Sequence, residues 1–518
     1  MSVPFESMTP PSPSPAPAGD EHVHVAVVGS GFAGIGASIA LAEAGIDHVV
    51  LERADELGGT WRDNTYPGCR CDVPSHLYSF SFAPNPDWSE TYSPQAEIQA
   101  YLRRTADDRG VTERIRFRHE VRRASWEARR NRWELETPGG RLTADVLVVG
   151  NGFLAEPALP DIPGIESFAG TAFHSAQWRH AHDLPGERVA VIGTGASAIQ
   201  FVPEIQPTVE HLTLYQRTPP WVFPHGNRTI TDTERSLFRV LPAVQRAIRG
   251  TVYWSRELLV TAMLRNGRGI ARMEKLGRRH IETQVPDPDL RARVTPTYRP
   301  GCKRLLLSND YYPTLAQPNV DVVTDAITEI RPEGVVTADG VARPVDTIIF
   351  GTGFHVTDNP IAERIRGREG RSLADAWADT GARAYFGSTV PGFPNLFFLA
   401  GPNTGIGHTS LVVMIEAQIA YVVDAIETMH RTGAASVELR APALAAWTDT
   451  IRRKAAGTVW NSGGCASWYL DAEGRNTTLW PDYTFRFRSG TRRFDPARYE
   501  LVAPAEADPG AFAPVGSA

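Results

Sequence analysis

The chain has 518 residues, enough for two or three domains around a large core. Hydrophobic residues make up 42% and charged residues 22%, and a formal net charge of −6 without any Lys/Arg block gives nucleic acid nothing to bind. The four cysteines (Cys69, Cys71, Cys302, Cys465) are too few for a disulfide framework, and none has the C-x-x-C spacing of a redox dithiol or zinc knuckle, which points to a reducing cytoplasm.

The Pro/Ser/Ala-rich start, MSVPFESMTPPSPSPAPAG, lacks the basic and apolar regions of a signal peptide, so residues 1–21 read as a disordered tail. A short apolar strand, Val25–Val28, then runs into Gly29-x-Gly31-x-x-Gly34 and a helix rich in small residues. A second strand, His48–Leu51, ends on Glu52, 23 residues after Gly29. Strand, glycine turn, helix, strand and acid in this order predict a Rossmann-like unit. Its glycines let a pyrophosphate approach the helix N-terminus, and Glu52 can accept from ribose hydroxyls.

The pattern repeats in RVAVIGTGASAIQFVPEIQPTVEHLTLYQRT, with Gly193-x-Gly195-x-x-Ala198, Ser197 at the helix start and a strand at Leu212–Tyr215. Here the acid is replaced by Arg217 and Thr218, and a guanidinium at that place suits the 2′-phosphate of NADPH. An echo links the halves: Asp145, Gly150 and Gly152 in ADVLVVGNG match Asp346, Gly351 and Gly353 in VDTIIFGTG. Between them, apolar residues at helical spacing (Leu237, Val240, Leu241, Val244, Ile248, then Leu258, Leu259, Ala262, Met263) predict a helical insertion over the cleft. A further strand, Leu396–Ala400, leads to Asn403, and the apolar stretch Leu411–Ile426 carries Glu416, Gln418 and Asp424, which suits a buried helix better than a membrane span.

The expected fold is therefore α/β, with two nested Rossmann-like domains and a helical insertion. The expected bounds are 22–155 and 355–500 for the FAD domain, 156–225 and 301–354 for the NADPH domain, 226–300 for the insertion and 501–518 for a C-terminal tail. FAD with NADPH is the economical pair for two such sites, since a flavin takes hydride and passes electrons onward. The C-x-C of Cys69 and Cys71 is unsuited to a disulfide, leaving oxygen or another external acceptor.

Three spaced motifs add a resemblance. Phe168, Gly170, His174 and Trp178 form F-x-G-x-x-x-H-x-x-x-W just before the second glycine turn. Gly58-Gly59-Thr60-Trp61, Tyr66-Pro67-Gly68 and Asp72 follow the first, and Lys303-Arg304 lie in PGCKRLLLSNDYYPTL. In these the chain resembles the Baeyer–Villiger monooxygenases, relatives of the flavin-containing monooxygenases, over residues 24–500; it departs at Arg179, where the family has Pro or Asp.

The resemblance implies an FAD- and NADPH-dependent reaction with O₂ that converts a ketone to an ester or lactone through a C4a-peroxyflavin. It makes Arg304 the cation beside the reacting oxygens and Asp72 the carboxylate that holds it. Lys303 would join Arg217 and Thr218 on the phosphate. Gly59, Thr60, Trp61, Asp72 and Asn403 would lie along the flavin. His174 and Trp178 would order the link between the two nucleotide domains, a structural histidine being an equal reading. The alternatives are a flavin-containing monooxygenase acting on an amine or sulfide, which needs no such arginine, and a nucleotide-sensing module without catalysis.

Overall fold

The structure is a computed structural model and describes residues 21–265 and 267–503. Along the chain come β1 (Glu21–Val28), α1 (Phe32–Glu43), β2 (His48–Leu51), β3 (Gly140–Val149), β4 (Thr171–His174), β5 (Arg188–Ile192), α2 (Ala198–Ile205) and β6 (His211–Tyr215). They are followed by α3 (Pro242–Arg265), α4 (Arg268–Gln284), β7 (Val320–Val323), β8 (Thr347–Phe350), β9 (Leu396–Phe398) and α5 (Leu411–Thr432). Shorter elements are named by their residues.

Two sheets organise the molecule. In the first, β1 lies between β2 and β3, both parallel to it, and β9 adds parallel to β3. The second runs β7-β6-β5-β8-β4, all parallel. Their central strands are apolar runs buried on both faces, as helices covering both sides of a parallel sheet require. All strands of the second sheet fall between Thr171 and Phe350, while the first sheet takes strands from either side of that interval. The fold class expected from sequence is the one observed.

The echo between the halves has a geometric cause. Gly150 donates its N–H to Val28 O at 2.9 Å, and Gly351 donates to Ile192 O at 2.8 Å. A Cβ on Gly29 would stand 2.9 Å from Gly150 O, and one on Gly193 would stand 2.4 Å from Gly351 O. In each sheet two strand ends meet so closely that facing glycines are required. These meeting points are where connections leave in opposite directions, the crevice at which parallel sheets bind ligands.

Three expectations need correction. The apolar stripe from Leu237 to Ile248 is not one helix: Asp232–Val240 ends before Pro242, which disfavours helical geometry at Leu241 and opens α3. Much of that stripe faces outward, Val240 at 84% and Leu241 at 49% exposure. The tails are also shorter than expected. Glu21 already belongs to β1, and Leu501 and Val502 sit in a strand, Tyr499–Val502, paired with Ser436–Leu439; the rest of both tails lies outside the described residues. Finally, the cysteines do pair. Cys302 and Cys465 form a disulfide across 163 residues, while Cys69 and Cys71 are free and buried. No helix among the described residues is long and apolar enough to cross a membrane.

Candidate active site

At the first crevice, Gly29, Gly31, Gly59, Thr60, Trp61 and Glu52 line one cleft. The three turn glycines do different work. A Cβ on Gly34 would fall 1.8 Å from Gly29 O, so that glycine serves the packing of α1 against the turn. A Cβ on Gly31 would meet nothing nearer than Gly59 Cα at 3.7 Å and would project into the cleft. Gly195 is its counterpart in the second sheet, with its nearest neighbour at 3.8 Å. An open cradle over a helix N-terminus in each sheet fits a pyrophosphate.

Glu52 is 4% exposed, and its carboxylate already accepts from Ser30 N (2.9 Å), Ser30 Oγ (2.7 Å), Ala54 N (2.9 Å) and Arg62 Nη1 (2.9 Å). Burial would raise its pKa, but the Ala54 N–H, the Arg62 charge and Ser30 outweigh it and keep the group ionised. Trp61 donates Nε1 to Tyr78 Oη at 3.1 Å. Asn403 lies off this cleft: its N–H donates to Thr477 O and its amide to Asn476 O at 2.8 Å, so its donors serve the C-terminal stretch.

Past β6, Arg217 is exposed and Thr218 half-buried. Lys303, from a segment 86 positions later, sits with Nζ 5.4 Å from the Tyr298 ring. Burial, then the Arg217 charge, holds the Lys303 pKa below its ordinary value. The fold thus brings two cations together beside the Gly193 turn against their mutual repulsion. An anion relieves that cost.

Arg304 and Asp72 meet across 232 residues. Arg304 donates Nε to Asp72 Oδ2 at 2.5 Å and Nη2 to Oδ1 at 2.6 Å, a bidentate pair. Burial would raise the Asp72 pKa, but the Arg304 charge and hydrogen bonds hold it below the usual carboxylate range. Among the described residues Arg304 Nη1 makes one long hydrogen bond, to Ile406 O at 3.5 Å, which leaves room on this amino group for a ligand. The pair opens onto a cavity of about 220 Å³, between Phe223, Leu305 and Leu307 on one side and Leu259, Met273 and Leu276 of α3 and α4 on the other. The side chains of Arg304 and Asp72 are 29% and 24% exposed.

Tyr469 comes from the aromatic C-terminal stretch. It is buried beside this pair, and its hydroxyl has no hydrogen-bond partner among the described residues. Burial pushes its pKa up to about 12, with the Arg304 charge pulling the other way. His408 was missed altogether: it lies at the cavity floor with Nε2 3.5 Å from Glu257 Oε1, and burial lowers its pKa so that the ring is neutral near pH 7. No motif marks either residue; only the folded chain brings them here.

The four fingerprint residues are placed by packing. A Cβ on Gly170 would strike Asp346 O at 2.2 Å, and Phe168 lies over the same glycine. Trp178 packs on Phe173 and on Phe201 of α2, with ring centroids 5.2 and 5.4 Å away. His174 ends β4, paired with Phe350 of β8. Its Nδ1 accepts from Ala176 N at 3.1 Å, while Nε2 is buried with no hydrogen-bond partner among the described residues. Burial lowers its pKa.

Comparison with known proteins agrees with this geometry. The FMO-like family model, flavin-binding monooxygenase-like, matches residues 22–234. The chain is 52% identical over 488 residues to a Baeyer–Villiger monooxygenase of Streptomyces coelicolor, covering 94% of each chain. It is 48% identical over 478 residues to one of Pseudomonas aeruginosa, covering 92% of this chain and 90% of that one. Among solved structures it is similar to the OTEMO complex with FAD and NADP, with a TM-score of 0.83, 28% identity, and coverage of 93% of this chain and all (100%) of that one. Two glycine crevices, a phosphate-ready pair of cations and a carboxylate-held arginine, matched along nearly the whole chain by such relatives, place the protein in the Baeyer–Villiger monooxygenases.

Proposed function

We propose that the protein binds FAD at the Gly29 crevice and NADPH at the Gly193 crevice, and uses O₂ to convert a ketone to an ester or lactone with Arg304 as the catalytic cation. When bound, the flavin reduced by NADPH supplies the activated oxygen. The observation that carries the reading is the bidentate hold of Asp72 on Arg304, which leaves Nη1 facing the cavity. That hold fixes a guanidinium, charged at any working pH, where negative charge gathers on oxygen as the carbonyl is attacked. Asp72 positions it and stays ionised. The apolar cavity wall keeps water from competing for Nη1. The orphan hydroxyl of Tyr469 supplies a second donor beside Arg304.

In this reading Arg217, Thr218 and Lys303 hold the 2′-phosphate, and the two domains join near residues 155 and 355. The demand for NADPH argues for work in the cytoplasm, where that cofactor is regenerated. The test is NADPH consumption by the FAD-loaded protein over a panel of cyclic, aryl and steroid ketones, with product masses. Ketone mass plus one oxygen supports the proposal; oxygenation of amines or sulfides with every ketone untouched sinks it.

A further inference from the structure

Arg304 is not the only guanidinium on the cavity. Arg256 projects from α3 onto the same walls, three residues before the lining residue Leu259. It donates Nη2 to Tyr92 Oη at 2.8 Å, and no carboxylate of the described residues lies within ion-pair distance of it.

The negative groups nearby are otherwise engaged. Asp72 spends both oxygens on Arg304. Glu257, the chain neighbour of Arg256, is 3% exposed and accepts Thr484 N at 3.2 Å and the Thr484 hydroxyl, with Oε1 3.5 Å from His408 Nε2. The rest of the wall is mostly apolar: Val73, Pro74, Phe223, Leu259, Met273 and Leu276. Arg256 is half-buried there with one neutral hydrogen bond, which leaves guanidinium donors for a ligand. Its charge reaches the reacting end of the cavity, since it helps hold the Asp72 carboxyl down and disfavours the charged form of His408. Burial keeps the His408 ring of the floor neutral.

We infer that the substrate is a ketone carrying a carboxylate, a keto acid, whose anion is received by the fork of Arg256 while its carbonyl meets Arg304. This deepens, and rests on, the ketone-oxidising reading above. Arg256 is then a specificity-determining residue, and the two arginines divide the work: one is occupied by Asp72 and keeps one amino group for the reaction, the other keeps its fork for recognition. A planar guanidinium matches a carboxylate in two parallel bonds, which an ammonium cannot copy.

The experiment compares a keto acid with its methyl ester in one scaffold, using protein loaded with FAD and NADP⁺. Binding to the oxidised protein is read by calorimetry, independently of turnover, and kcat/KM is read from product formation. The wild type should favour the acid over the ester by roughly 10- to 100-fold in both, a preference that should collapse in Arg256→Leu and survive in part in Arg256→Lys. Wild-type protein that binds the acid no better than the ester overturns the inference without any variant having to fold. So does an Arg256→Leu protein whose loss appears in the KM for NADPH, which would assign the residue to the nucleotide. Neutral ketones oxygenated without any acid preference would refute this inference alone; a chain that binds the acid tightly yet makes no ester from any ketone would refute the reaction and keep the site.

Discussion

Replacing Arg304 with alanine asks two questions at once, and the structure separates their magnitudes. The first concerns stability. Removing one partner of a buried ion pair costs about 3–5 kcal/mol, because the other charge is left uncompensated. Here a quarter or so of each side chain opens to the cavity (29% and 24%), so solvent screening brings the expected loss to about 2–3 kcal/mol. Asp72, now governed by burial, moves up in pKa, and Asp72→Asn in the Arg304→Ala background should recover most of the loss. The second question concerns the reaction. Losing a preorganised donor aimed at developing negative charge costs about 2.7–4 kcal/mol, or about 10²–10³ in rate. Ester formation should therefore fall at least that far while FAD stays bound and NADPH is still consumed, the electrons leaving as hydrogen peroxide. Arg304→Lys should recover little, since one ammonium cannot both hold the two Asp72 oxygens and reach the cavity. The assay is ester by mass against peroxide by titration, per NADPH. Normal ester yield and normal coupling in Arg304→Ala would refute the role given to this residue.

Gly31→Ala should weaken FAD retention at least tenfold with little change in apoprotein melting, because its Cβ enters the cleft and its φ of −80° suits alanine; Gly34→Ala should not fold, its Cβ falling 1.8 Å from Gly29 O. Arg217→Ala should lower the kcat/KM preference for NADPH over NADH by about 10- to 150-fold, the worth of one charge-assisted phosphate contact, and an unchanged ratio would move the phosphate to other residues. Burial depresses His76 from its ordinary 6.5 to about 4, so between those values the unfolded chain binds more protons and stability falls as pH falls, by about 3 kcal/mol at most from this residue; the urea midpoint shift between pH 7 and pH 4 should shrink in His76→Gln. Gln200→Leu removes hydrogen bonds to Tyr66 Oη (3.1 Å), Arg70 N (3.3 Å) and Arg70 O (3.1 Å) and should raise peroxide leakage with FAD content unchanged; unaltered coupling would dismiss that contact as a positioning device.

What the sequence made legible was what the backbone itself demands. Facing glycines at Gly29 and Gly150, and at Gly193 and Gly351, follow from strand ends that approach within contact distance, so their spacing alone betrays the fold. Gly170 is legible for the same reason, under Asp346 O. The reaction site is different. Asp72 and Arg304 are 232 residues apart, and only resemblance joined them; nothing in their neighbours' chemistry says that a bidentate pair forms. His408 and Arg256 carried no signal of their own, since a lone histidine or an arginine at a helical position reads as packing or as surface. The disulfide of Cys302 and Cys465 was hidden by the same long separation, and counting cysteines argued against it. Asn403 shows the converse: a turn asparagine after a strand reads as a ligand contact, yet its donors hold the C-terminal stretch in place.

The Asp72–Arg304 pair straddles the two sheets, and this constrains how the proposed site can work. Asp72 comes from the segment between β2 and β3, Arg304 from the segment between β6 and β7. The stretch leading to Asp72 is fastened to α2 of the other sheet: Tyr66 and Arg70 bond Gln200, and a Cβ on Gly68 would meet Gln200 O at 2.9 Å. The crevice that fits FAD lies at the first sheet, while Arg304 comes from a segment between two strands of the second, and the bonds to Gln200 are among the contacts that join the two. If the two units part, Asp72 and Arg304 separate with them, and each charge is left without its partner. The reaction cation and the docking of the units are then one condition.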